Sequence, residues 1–61
     1  KMIKFETRLI PFTSRDGRKG TFPLRYKLYL NEEGKVYSIM NQHGYTIEKN
    51  SETFEYYAKK Y

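Results

Sequence analysis

The chain has no cysteine and no tryptophan, a single histidine (His43) and a single alanine (Ala58) among its 61 residues. Without cysteine there is no disulfide framework, thiolate zinc site or cysteine nucleophile. One histidine excludes a multi-histidine metal centre, and His43 reads as an ordinary turn residue, so neither metal nor cofactor is expected. No apolar run approaches the ~20 residues that cross a bilayer, and no charged-then-apolar leader is present; a cytoplasmic protein without membrane attachment is expected. There is no phosphate-binding glycine loop, no nucleophile beside a base and no pair of facing carboxylates. Glu32 and Glu33 are adjacent in a turn and point apart. So short a chain encloses no obvious cavity, and a non-enzymatic role is expected.

What the chain does have is positive charge and aromatic rings. Twelve Lys and Arg against seven Asp and Glu give a net charge of +5, and seven Tyr with four Phe bring the aromatic share to 18%. Residues 1–61 allow one small domain, which buries at best roughly 60% of its unfolded surface, so its core is modest. Scarce alanine with abundant Lys and Tyr fits an AT-rich genome, including those of phages and mobile elements. The opening Lys1-Met2 reads either as an initiator preceded by one added residue or as the cut end of a longer chain.

Glycines punctuate the sequence. Asn31-Glu32-Glu33-Gly34 and Asn41-Gln42-His43-Gly44 repeat the pattern Asn-x-x-Gly ten residues apart. Each suits a type I turn closed by a left-handed residue, the three-residue hairpin loop with a bulge. The polar run Ser14–Gly20 reads as a turn or mobile loop. Between these signals the residues alternate: Ile3, Phe5, Thr7 and Leu9 against Lys4, Glu6 and Arg8, then Phe22, Leu24, Tyr26, Leu28 and Leu30 against Thr21, Pro23, Arg25, Lys27 and Tyr29. Period two predicts strands over 2–10 and 21–30, with shorter ones over 35–41 and 45–49. Pro11 and Pro23, which lack an N–H, belong at strand ends or edges. From Ser51 the period changes. Ser51 caps, Glu52 and Glu55 open and Lys59 and Lys60 close a helix whose stripe Phe54, Tyr57, Ala58 and Tyr61 is read as core. The expected fold is α+β: a small antiparallel β-meander of three to four strands with one C-terminal helix packed on one sheet face.

Regular hairpin geometry at Gly34 sets Leu30 against Val36, Leu28 against Ser38 and Tyr26 against Met40 on the apolar face. At Gly44 it sets Ile39 against Ile47 and Tyr37 against Lys49. The other face then gathers Arg25, Lys27, Tyr29, Tyr37, Tyr45 and Lys49 around Ile39 and Ile47. A slip of one residue would exchange the faces. Charge is uneven as well. Residues 1–30 hold eight cations against two carboxylates, residues 31–61 four against five.

Nucleic acid presents phosphates that attract Lys and Arg and bases that stack on rings. Arg25, Lys27, Tyr29 and Tyr37, flanked by Arg15, Arg18 and Lys19, offer both, and the expectation is a nucleic-acid-binding module, for DNA rather than RNA. The bland reading is that Tyr and Lys are simply good solvent-facing strand residues. A rival from another class is a protein-interaction module, such as a phage or mobile-element inhibitor of a host or defence protein, using a Tyr-rich face and free strand edges. Self-assembly into a homodimer, through the first strand or the Tyr face, is compatible with either. Gly20-Thr21-Phe22, Arg25-Tyr26, Gly34-Lys35 and Ser51-Glu52, set on three strands and a helix, resemble the arm-type DNA-binding domains of tyrosine recombinases from Gly20 onward. The extra strand at Tyr45–Lys49 and the alanine-poor helix depart from that pattern. The likeness is one of architecture; what it implies is DNA as the partner, and it carries no claim of membership.

Overall fold

The computed structural model describes residues 2–61 and has four elements: β1 (Met2–Thr13), β2 (Lys19–Leu30), β3 (Val36–Asn41) and α1 (Glu52–Lys60). The strands form one antiparallel sheet in the order β1-β2-β3, with α1 packed on one face. This is the α+β meander the alternation and the terminal helix predict. No described helix is long and apolar enough to cross a membrane.

Three turns of one design close the hairpins. In each, a glycine with φ between 82° and 90° takes the left-handed position, which costs a residue with a Cβ roughly 1 kcal/mol or more. Asn31 Oδ1 accepts from the amides of Glu33 and Lys35, and Asn41 Oδ1 accepts from those of His43 and Tyr45. The third copy is Ser14-Arg15-Asp16-Gly17: Ser14 N–H donates to Arg18 O at 2.7 Å, and Arg18 N–H donates to Ser14 Oγ at 3.1 Å. Of the two forms expected for Ser14–Gly20, a turn or a mobile loop, the segment takes the turn. β1 runs three residues beyond its predicted end, and Lys19 and Gly20 belong to β2.

This turn sets the register of the first hairpin, with Ser14 opposite Arg18, Glu6 opposite Tyr26 and Met2 opposite Leu30. β3 covers β2 only from Tyr26 to Leu30, so the hairpin beyond it is a free two-stranded arm, and the molecule is elongated at 47 × 21 × 18 Å. Pro11 and Pro23 both lie in or beside this arm, where outward N–H groups would have no strand to bond.

The second hairpin departs from regular geometry. Leu30 faces Val36 as expected, but Tyr29 faces Ser38, leaving Tyr37 as the extra residue of a β-bulge. From there Leu28 faces Ile39, Lys27 faces Met40 and Tyr26 faces Asn41, so the expected pairs Leu28–Ser38 and Tyr26–Met40 do not occur. The cause is burial. Strict alternation would put Ser38 under the helix and Ile39 in solvent. The bulge exchanges them, gaining roughly 1.5–3 kcal/mol for a buried Ile and avoiding an unbonded hydroxyl. The predicted strand over 45–49 shrinks to one bridge, Met40 with Thr46, and the hydrogen bond of Ile47 N–H to Ile39 O at 2.8 Å. Ile39 and Ile47 pair as expected, but on the helix side.

Tyr26, Leu28, Leu30 and Ile39 from the sheet and Phe54 and Tyr57 from α1 make the core, with Leu24, Val36, Ile47 and Tyr61 packed around it. Ser51 caps α1, accepting from Phe54 N–H at 3.2 Å. Ala58, assigned to the core stripe, is exposed, because the strip in contact with the sheet is only Phe54–Tyr57–Tyr61 wide.

Polar contacts fasten the end of the helix to β1. Tyr61 hydroxyl and Lys60 ammonium donate to the two oxygens of Glu6, the latter at 3.1 Å, and the Arg8 guanidinium lies 4.2 Å above the Tyr56 ring. The Tyr61 hydrogen bond first, then Lys60, holds the Glu6 carboxyl below its ordinary range. That contribution is present above the unfolded carboxylate pKa and is lost as pH falls through the lower, folded one. Tyr57 behaves oppositely: burial, aided by the Glu6 charge, pushes its hydroxyl up to about 12. Its titration therefore leaves folding untouched below pH 10, the ordinary tyrosine value, and costs stability as pH rises from there toward about 12. The same hydroxyl has no hydrogen-bond partner among the described residues. Tyr57→Phe is therefore expected to raise stability by about 1 kcal/mol at neutral pH and to flatten the alkaline decline, both read from urea melts at pH 7 and above pH 10. A loss of stability at pH 7 would show that the hydroxyl is satisfied.

Candidate nucleic-acid interface

Because the helix takes the leucine side of β2, the other side of that strand is left open. Alternation places Lys19, Thr21, Pro23, Arg25, Lys27 and Tyr29 along it. Lys19 and Lys27 are eight residues apart, or roughly 26 Å along the strand. Lys19, Arg25 and Lys27 have no carboxylate partner among the described residues. The Lys27 ammonium lies 5.3 Å from the centre of the Tyr29 ring, a cation–π contact that steadies both side chains.

Tyr37 reaches the same region by the bulge. Its ring centre is 6.4 Å from that of Tyr29, with the planes tilted by 49°. Tyr29 and Tyr37 thus form a two-ring edge to the basic row. Arg15 and Arg18 sit apart, in the turn at the far end of the arm. Arg18 pairs with Asp16 at 3.4 Å, with both side chains largely in water, where such pairs contribute little. The seven residues singled out from the sequence therefore fall into two groups: Arg25, Lys27 and Tyr29 of β2 with Tyr37 of β3 over the body, and Arg15 and Arg18 at the arm tip, with Lys19 leading from the tip toward the body. The expected neighbours Tyr45 and Lys49 are not in the row. Tyr45 stands exposed just after Gly44, and Lys49 follows the single bridge.

One component escaped the reading of the sequence. The register of β1 puts Ile3 opposite Tyr29, Phe5 opposite Lys27, Thr7 opposite Arg25 and Leu9 opposite Pro23, all on the open face. Phe5 is 79% exposed and Leu9 63%. The signal that locates them is the first turn, where Ser14-x-x-Gly17 repeats the motif of Asn31-x-x-Gly34 and so sets this register. The open face is therefore an apolar row beside a basic-aromatic row. Chemically it suits a polyanion whose flat groups need a surface to stack on. Among the described residues there is no cluster of three or more His, Cys, Asp or Glu able to hold a metal ion.

No protein-family model matches the chain, and neither the curated proteins nor the solved structures gave a match.

Proposed function

We propose that the chain is a small, non-enzymatic binding module that engages nucleic acid, DNA in the first instance, through the open face and the arm. Lys19, Arg25 and Lys27 contact phosphates, and Arg15 and Arg18 extend these contacts at the arm tip. Tyr29, Tyr37 and the neighbouring Phe5 supply rings on which bases stack. The observation that carries this reading is the row of three unpaired cations and two tyrosines on a sheet face the helix leaves uncovered. The arm adds a second element, since a two-stranded ribbon has the width that a DNA major groove admits.

Titrating the protein with short single- and double-stranded DNA and RNA at low and moderate salt tests the reading. Binding is expected to weaken steeply with salt. Three to five phosphate contacts give a slope of log K against log salt of about −2 to −4. Absent or salt-independent binding to every probe would overturn it.

A second reading draws on the apolar row. Phe5, Leu9 and Ile3 are more exposed than nucleic acid requires, and such a patch is what a protein partner buries. On that reading the module is an inhibitor of a host protein, and a stoichiometric protein partner that co-purifies after nuclease treatment would favour it.

A further inference from the structure

The outer edge of β1 is bare, and its backbone phase determines what it can pair with. Ser14 N–H bonds Arg18 O, so the even-numbered residues of β1 turn their N–H and C=O toward β2. The odd-numbered residues of both strands point away from that ladder, as the Arg25 N–H confirms by donating outward to Gln42 Oε1 at 2.8 Å. Ile3, Phe5, Thr7 and Leu9 therefore present free N–H and C=O groups at the edge, and Pro11 presents only a C=O. Among the described residues nothing bonds to them.

We propose that a second copy of this chain occupies the edge, antiparallel, with a two-fold axis through Thr7, so that the two sheets join into one of six strands. Isologous antiparallel pairing needs only that outward-facing residues meet outward-facing ones, so the axis can pass through any residue of the strand. An axis at Lys4, Glu6 or Arg8 sets a charge directly opposite its own copy and is excluded by that repulsion. An axis at Thr7 forms about eight backbone hydrogen bonds, and one at Phe5 about six. An axis at Leu9 sets Glu6 against Phe12 and Arg8 against Ile10, so neither charge meets an opposite one, whereas the axis at Thr7 leaves only Lys4 facing an apolar residue, Ile10.

Thr7 alone satisfies both faces. On the open side it sets Phe5 beside Leu9 of the second copy, twice over, covering the two most exposed apolar side chains of the strand. On the helix side it sets Glu6, the strand's one carboxylate, against Arg8 of the second copy, again twice, an opposite-charge pairing. Pro11 then falls opposite Ile3, and its missing N–H ends the ladder. If the nucleic-acid reading above holds, the joined sheet also brings two Arg25 side chains onto one face, three strand spacings or roughly 14 Å apart.

The test uses nucleic-acid-free protein. Sedimentation equilibrium is expected to show a monomer–dimer equilibrium in the micromolar range, an edge interface being at the small end of specific ones. Amide exchange by NMR should show Phe5, Thr7 and Leu9 exchanging at least about ten-fold more slowly at high than at low protein concentration. Thr7→Pro, whose lost N–H faces outward and so serves nothing within the monomer, should be monomeric and folded. Phe5→Lys, at a highly exposed site, gives the same readout should Thr7→Pro fail to fold. A monomer at every concentration, a dimer whose odd-numbered β1 amides exchange freely, or a dimer that survives both substitutions would each overturn the proposal. Sedimentation reads the dimer and the salt titration reads the site, so either can fail while the other stands.

Discussion

Ile39→Ala is expected to unfold most of the protein at 25 °C, whereas Met40→Ala leaves it folded. Ile39 is wholly buried in the cluster with Leu28, Phe54 and Tyr57. Truncating such a residue costs about 2–5 kcal/mol once the cavity is included. A single core in a domain of this size rarely supplies more than about 3–5 kcal/mol in total, so the loss is of the same order as the whole stability. Met40 faces the open side opposite Lys27, half-buried, and its truncation should cost under about 1 kcal/mol. Urea melts followed by circular dichroism decide the matter. The reverse order of the two costs would mean that β3 pairs in the unbulged register and that its faces are exchanged.

The double variant Arg25→Ala/Lys27→Ala is expected to weaken nucleic-acid binding by roughly ten- to a hundred-fold at moderate salt. The loss of two phosphate contacts should also make the salt slope shallower by about 1.4 to 1.8, the range between single strands and duplex. Neither side chain belongs to the core or to the Glu6 contacts, so the melting profile should be unchanged. Lys59→Ala, which removes a cation from the exposed surface of the helix, is the control and should alter affinity far less. Equal effects from the two variants would reduce the interaction to net charge.

Much of this molecule is legible in its sequence, and the parts that are not share a cause. Gly34 and Gly44 announce their turns because a left-handed residue without a Cβ is a local requirement, satisfied within four residues. The helix is equally local: Ser51 caps it, and Phe54, Tyr57 and Tyr61 mark its buried strip. The bulge at Tyr37 is different. Period two within β3 says nothing about an extra residue, and only the need to place Ile39 rather than Ser38 beneath the helix calls for one. That need arises in the tertiary packing. It could have been noticed, since a face pairing Leu28 with Ser38 is not wholly apolar. Ala58 misled for the opposite reason: it lies on the stripe, but the sheet under the helix is too narrow to reach it.

The site divides in the same way. Arg25, Lys27 and Tyr29 share a face by alternation along one strand, which any reading of β2 gives. That Ile3, Phe5 and Leu9 lie beside them depends on the first turn, where the charged residues Arg15, Asp16 and Arg18 obscure a motif repeated twice later in the chain. That turn sets the long edge strand and its exposed apolar row side by side, the surface proposed to take a second copy.

The sheet face opposite the helix is the surface proposed to bind nucleic acid. Mapping amide and side-chain chemical-shift changes on adding a short single-stranded DNA tests it most directly. The changes are expected to concentrate at Arg25, Lys27, Tyr29 and Tyr37 and at their β1 neighbours Phe5 and Thr7, while Glu52, Glu55 and Lys59 on the outer helix surface stay still. Changes centred on the helix, or none at saturating DNA, would contradict it.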